Sequence, residues 1–457
     1  MSYFMNFSRT PFAAISPAME FLLALGVLGV FASHLWGALT TRSGWLSGRH
    51  TTAVSFATTL AVAIAYITSG SPFTTRMGEA WLQGLAPAIR VDGLSVTMLT
   101  LVSFLGWVVC RYAERYLRGD AQRHRFERWL LLVLASVTGV VASANLLWMT
   151  AFWVLTSLTL HQLLVYYRER PEAQRAAHSK FVISRLADAA LICGVGLLSV
   201  EFGSFYISEL NPGASMGAAA HVGGVLVAIG AMLKCAQLPF HGWLLGVVEA
   251  PTPVSALLHA GVVNLGGFVC IRLASVMSQA EIAQTLLVLV GAGTAVVSAL
   301  VMASEPRIKV KLAWASCAQM GVRLVECGLG AYDLEFMDLV SIEIYKAHAF
   351  LGSGSVVATA QRFRERVRPE PATASMRGMA LAAGFACTLL WLEGVTLLGE
   401  ASTSNVVAVP VLLVGVSSLW LHHLRWARIG QALLGTALLL GVYPGAHALF
   451  SFAPAPA

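Results

Sequence analysis

The sequence predicts an all-α polytopic membrane protein, and three observations carry that prediction. Hydrophobic residues make up 57% of the 457-residue chain and charged residues only 12%, with a mean hydropathy of +0.72; a soluble domain carries about 25% charged residues. Apolar runs of roughly 20 residues recur along the chain, the length of a helix crossing a bilayer, without the alternation of a barrel strand. Basic residues concentrate in every second connection between those runs, as in helical membrane proteins of fixed orientation.

The runs give about fourteen spans, near residues 18–40, 51–70, 92–112, 128–143, 145–167, 180–201, 221–246, 254–276, 282–303, 311–330, 336–360, 376–396, 404–423 and 429–450. The first has no basic stretch before it beyond Arg9 and reads as a span, not a cleavable signal. No soluble domain or long linker interrupts the series, so the chain reads as a single transmembrane domain over 1–457.

The third connection carries Arg111, Arg115, Arg118, Arg123, Arg125 and Arg128, and the fifth Arg168, Arg170, Arg175 and Lys180. The ninth carries Arg307, Lys309 and Lys311, and the eleventh Arg362, Arg364, Arg366, Arg368 and Arg377. Even-numbered connections are nearly free of Lys and Arg, so the odd ones face the cytoplasm and both termini face outward, to the periplasm. The net charge of +7 therefore reflects topology and does not point to nucleic acid. The basic connections are docking sites for a partner or the ordinary result of topology; the sequence leaves both open. The seven cysteines form no CxxC pair and read as small core residues.

One stretch departs from a plain apolar span. Lys234–His259 reads KCAQLPFHGWLLGVVEAPTPVSALLH and follows directly on the apolar GGVLVAIGAML. Proline breaks a membrane helix, and an ionisable group at membrane depth costs about 2.5–3.5 kcal/mol on insertion scales. Together they predict a broken helix on an ion pathway, with His241 and Glu249 lining the break. Glu393 in WLEGVTLLGEAS marks a second candidate break, which fits two five-helix units. Other ionisable residues inside spans are His161, His259, Glu343, Lys346 and His348. Proton transfer through a membrane needs a chain of such groups. Arg185 with Asp188, and Arg323 with Glu326, stand three apart and are expected to neutralise each other as structural pairs. No nucleophile triad, metal-ligand spacing or phosphate loop is present, so an ion-translocating subunit is expected rather than an enzyme, with no cofactor or metal in this chain.

The motif K-x-x-Q-x-P-x-H-x-W-L…E-A-P-T-P-V-S-A-L-L-H-A at Lys234–Ala260 resembles the signature of the antiporter-like, proton-pumping subunits of respiratory complex I and of Mrp-type cation/proton antiporters. DGLSVTML (Asp92–Leu99), NLLWM (Asn145–Met149), KFVISRLAD (Lys180–Asp188), IKVKLAWASCAQMG (Ile308–Gly321) and LGSGSV (Leu351–Val356) extend the resemblance over about residues 90–360. It implies a fourteen-helix core of two inverted five-helix repeats with broken helices: N-terminal helices over 18–112, a first repeat over 128–276, a second over 282–423 and a C-terminal helix at 429–450. It also implies roles for Lys234, His259 and Lys346 as the central pathway, and for Lys309 as the motif lysine before A-W-A-S.

Two departures stand out. The family's glutamate directly after a tryptophan in span five is replaced here by Val154, after Trp153, and His161 lies seven residues on as a candidate substitute. The second broken helix offers Glu393 and no lysine. The given sequence also ends near the close of the core, without the lateral helix of the terminal pump subunit. These departures resemble the DabB branch of the family. That resemblance implies a large zinc-binding DabA-like partner, related to β-carbonic anhydrases, on the cytoplasmic face of a bacterial inner membrane. Cation flow through this chain would then drive one-way CO2 hydration and bicarbonate accumulation in the partner. Two other readings stay open: a pump subunit of a complex I-like or Mrp-type antiporter, and a non-conducting membrane anchor for a soluble partner.

Overall fold

The computed structural model describes residues 17–40, 48–69, 72–78, 84–212, 216–354 and 374–397. Helices α1 (Pro17–Thr40) and α2 (Gly48–Ser69) lead to a two-stranded antiparallel hairpin, β1 (Phe73–Arg76) with β2 (Ala88–Val91), in which Phe73 pairs with Val91. Then follow α3 (Gly93–Tyr116), α4 (Arg123–Ala142), α5 (Leu146–Leu164), α6 (Pro171–Phe202) and α7 (Ala218–Lys234). Short helices α8 (Gly242–Gly246), α9 (Thr252–Ala260), α10 (Leu265–Arg272) and α11 (Ala274–Met277) come next. Four longer helices complete the described chain: α12 (Glu281–Ser304), α13 (Ile308–Gly328), α14 (Tyr332–Gly352) and α15 (Ala374–Leu397).

Each predicted span from 18–40 to 376–396 overlaps described helix, and the last two predicted spans lie outside the described residues. Among the described residues, seven helices are long and apolar enough to cross a membrane, including Thr252–Arg272 taken as one unit. Local signals set the starts. Asp92 accepts from the Ser95 amide at 2.8 Å to cap α3, and Asn145 accepts from the Leu147 amide at 2.9 Å to cap α5. Pro171 opens α6 at a position that needs no amide donor, and Gly203 closes it in the left-handed region at φ 66°.

In lipid there is little hydrophobic drive for helices to associate, so small residues and polar bonds do that work. α6 and α7 touch where Gly194 meets Gly223, and a Cβ on Gly194 would lie 2.9 Å from the Gly223 carbonyl. α12 and α13 touch where Gly291 meets Gly321, and a Cβ on Gly321 would lie 2.5 Å from the Gly291 carbonyl.

A buried polar knot ties the hairpin to the helices. Arg272 at the end of α10 donates to Asp92 at 2.6 Å and to Ser95 at 2.7 Å, and Arg90 of β2 donates to Asp92 at 2.7 Å.

The structure revises three expectations. Lys180, assigned to a loop by its charge, lies on α6, which starts nine residues before the predicted span, and it is buried. Span eight is interrupted: helix stops at Ala260, a 3-10 turn covers Val262–Asn264, and α10 resumes at Leu265. α15 remains helical through Leu397, so the backbone is unbroken at Glu393; the side chain of Glu393 lies outside the described residues.

Candidate functional site

The predicted break in span seven is present. α7 ends at Lys234, Ala236 takes a positive φ of 52°, the Leu238–Pro239 bond is cis, and α8 starts only at Gly242. Lys234 is 4% exposed, and its Nζ donates to the Ser157 hydroxyl at 2.7 Å. The same ammonium stands over the Trp153 ring, 4.4 Å from its centroid, a cation–π contact one helical turn from Ser157. Lys180 approaches from α6 and donates to the Ser157 carbonyl at 2.9 Å. Ser157 therefore holds two buried lysines, one through its side chain and one through its backbone.

The expected Arg185–Asp188 pair forms, at 2.5 Å. Asp188 is also the carboxylate that faces Lys234, so it stands where a counter-charge is needed with Val154 in the glutamate's place. His161 does not face Lys234 but lies near Lys180. Its ring packs on Phe181 at 4.9 Å and lies 6.1 Å from His178.

A second buried cluster lies around the unexpected break at Gly261–Asn264. Arg323 of α13 donates to Asn264 at 2.5 Å, and Asn264 donates to Glu343 of α14 at 2.5 Å. Arg323 also donates to the Asp338 carbonyl at 2.9 Å. Arg323 therefore does not bond Glu326, as the three-residue spacing predicted. Asn264, brought in by the break, offers a better-placed acceptor, and Glu326 Oε2 has no bonded partner. Lys346 lies one turn beyond Glu343, buried, with its Nζ in no hydrogen bond. His259 is fully buried, stacks on Phe350 at 4.3 Å and 13°, and faces Lys346.

The two clusters meet at the two breaks. The Cys235 thiol, next to Lys234, donates to the carbonyl of Val263, next to Asn264, at 3.3 Å. Two ionisable clusters thus lie on either side of this contact: Lys180, Lys234 and Asp188 on one, and Glu343, Lys346 and His259 on the other, with Asn264 joining Arg323 to Glu343. Several of their polar atoms are buried without a partner, including both ring nitrogens of His259, Glu343 Oε2 and Lys346 Nζ. Unpaired buried groups cost stability, so such a run is what a hydrated transfer path requires and a plain scaffold avoids.

Four predicted site residues stand apart from these clusters. His241 is half-buried, with its ring 5.1 Å from Trp314. Glu249 is exposed at the end of the 3-10 turn after α8 and faces Arg307, so it lies at the surface and not on the buried axis. Lys309 donates to Thr252 at 3.1 Å, bridging the start of α13 to the start of α9. His348 is exposed, because two residues along α14 turn it about 200° from Lys346. Reasoning from charge missed Asn264 and Ser157, which are uncharged, and Lys180, which was counted as a loop residue.

Fold and site together define a class: a multi-pass helical membrane protein with interrupted helices that meet between buried ionisable clusters. Residues 143–422 match the family described as "NADH:quinone oxidoreductase/Mrp antiporter, TM", and residues 84–127 match "NADH-Ubiquinone oxidoreductase (complex I), chain 5 N-terminus". The chain belongs to this family of antiporter-like membrane subunits, in its DabB branch. It is 39% identical over 333 residues to a probable inorganic carbon transporter subunit DabB of Hydrogenovibrio crunogenus, covering 71% of this chain and 64% of that one. It is 36% identical over 372 residues to subunit DabB2 of Halothiobacillus neapolitanus, covering 80% and 68%. It is 33% identical over 274 residues to NADH-quinone oxidoreductase subunit L of Mycobacterium tuberculosis, covering 59% and 43%. The chain thus spans about two-thirds or less of the length of these relatives.

Among solved structures, the fold resembles a chain of the Mrp complex from Dietzia sp. (TM-score 0.66, 23% identity, 94% of this chain and 46% of that one). It also resembles a chain of an archaeal membrane-bound sulfane sulfur reductase (TM-score 0.69, 18% identity, 94% and 96%).

Proposed function

We propose that this chain conducts protons by way of Lys180 and Lys234 and of Glu343, Lys346 and His259, with Asn264 holding Glu343 in place and water joining the two clusters, and uses that flow to drive a partner subunit. The partner is a large DabA-like protein holding zinc, docked on the cytoplasmic side of a bacterial inner membrane, where it hydrates CO2 in one direction and retains bicarbonate. The termini face the periplasm. The chemistry on carbon belongs to the partner, and this chain is a transporter subunit.

The observation that carries the reading is Lys234, a buried lysine at the broken end of an apolar helix, bonded to Ser157 and faced by Asp188. An anchor would gain stability by replacing it, because membrane burial of a charge costs about 2.5–3.5 kcal/mol. Similarity to inorganic carbon transporter subunits favours the zinc partner over a quinone-linked pump.

The test is purification of the complex from its native membrane in mild detergent, followed by zinc analysis and inorganic carbon uptake in cells. Lys234→Ala and Lys346→Ala are each expected to abolish uptake while the zinc-containing complex remains assembled. Full uptake in either variant overturns the conducting axis. Co-purification with other antiporter-like chains, without zinc, overturns the choice of partner.

A further inference from the structure

A cavity of about 430 Å³ opens beside the polar knot, walled by the hairpin, the 207–211 turn, the end of α10 and the start of α14. Arg90, Asp92, Arg272, Tyr332 and Asp333 give it a polar lining. Its walls come from even-numbered connections, which the charge pattern places on the outward face.

One face of α14 leads inward from this cavity. Tyr332, Glu335, Leu339, Glu343 and Lys346 follow the three- and four-residue spacing of a single helix stripe, and all five are buried. Tyr332 lines the cavity, and Lys346 lies at the far end among the second cluster. Glu335, one turn in, is fully buried; among the described residues no N–H or O–H bonds its carboxylate, and the Cys327 thiol lies beside it. Its carboxylate lies against α10 where Gly267 leaves room, and a side chain at Gly267 would collide with it. The groups facing Glu335 are Arg323 and Cys327 of α13, Tyr332, Asp338 and Glu343 of α14 and Cys235 just after α7, with Glu326 close by. Arg323 bonds Asn264 and the Asp338 carbonyl and makes no ion pair with Glu335, although its charge is felt there and its Nε is unbonded.

We infer that Glu335 is a proton relay between this outward cavity and Glu343–Lys346. A proton from water in the cavity binds the Glu335 carboxylate, passes over water along the α14 stripe past Leu339 to Glu343, about 12 Å on, and then to the Lys346 amine, and the reverse sequence releases it. Each transfer leaves the donor deprotonated and the acceptor protonated. The inference rests on the proposed conduction and adds to it the outward mouth and the residue that serves it.

The test uses the intact complex in liposomes, with an internal pH-sensitive dye and an imposed membrane potential. Wild-type flux abolished by Lys234→Ala establishes conduction independently of Glu335. Glu335→Gln is then expected to lower flux by about 100-fold, the scale of a lost acid–base group. Glu335→Asp is expected to restore part of it with an altered pH profile, which a purely structural role would not produce. Ser275→Cys, in the cavity wall, is expected to block flux when labelled by a membrane-impermeant thiol reagent from the outward side, with labelled wild type as the control. Unchanged flux in Glu335→Gln overturns the relay, and undiminished flux through fully labelled Ser275→Cys overturns the mouth. Flux that survives Lys234→Ala counts against the conducting axis instead.

Discussion

Replacing Ser157 with alanine removes one hydroxyl and leaves the backbone carbonyl that holds Lys180 in place. The lost bond is the 2.7 Å contact from Lys234, made by a charged donor in a buried site. Hydrogen bonds to charged groups are worth about 1.5–3 kcal/mol. At 1.36 kcal/mol per tenfold, that loss corresponds to about 10- to 100-fold. The Trp153 ring, 4.4 Å away, keeps a share of the stabilisation, so loss is partial. Proton flux in vesicles carrying the intact complex is expected to fall within that range for Ser157→Ala and to stay near wild type for Ser157→Thr, which keeps the hydroxyl. Thermal unfolding of both variants in detergent controls for a general loss of fold. Wild-type flux in a folded Ser157→Ala variant would refute the claim that this bond prepares Lys234 for transfer.

The other predictions concern the same architecture. Asp188→Asn is expected to impair flux strongly and His161→Gln only slightly, because Asp188 and not His161 faces Lys234; the two variants are compared in the same vesicle assay. Arg272→Leu should lower thermal stability by about 1.5–3 kcal/mol, the worth of its bond to the buried Asp92, which keeps Arg90 as a partner, and Arg272→Leu with Asp92→Asn should recover part of that loss. Gly321→Ala should destabilise the α12–α13 contact by about 1–3 kcal/mol, because its new carbon would meet the Gly291 carbonyl. Gly293→Ala, with open space around it, should leave the melting temperature unchanged.

The helical fold was legible because bilayer thickness sets helix length, and that length is printed in the recurring apolar runs. Burial of Lys234, Lys346 and His259 was legible for a related reason: an ionisable residue inside an apolar run is an outlier that needs no neighbour to be noticed. The rest depends on what other helices bring. The Gly261–Asn264 break has no proline to announce it, so Asn264 read as an ordinary helix residue, although it joins Arg323 to Glu343. The Arg323–Glu326 pairing followed from spacing on one helix and failed because a partner from another helix was nearer. Glu249 and His348 carry suitable chemistry and sit close in sequence to the clusters, but helix phase and chain direction place them on exposed surfaces.

The contact between Cys235 and Val263 joins the two interruptions back to back. Each interruption is the compliant point of its own helix, and here neither can be reseated without pressing on the other. The paired breaks therefore work like a single pivot pin between two levers: a rearrangement around Lys234 is felt at Asn264 without a long mechanical linkage. The surroundings of Lys234 and of Asn264 would then change state in step.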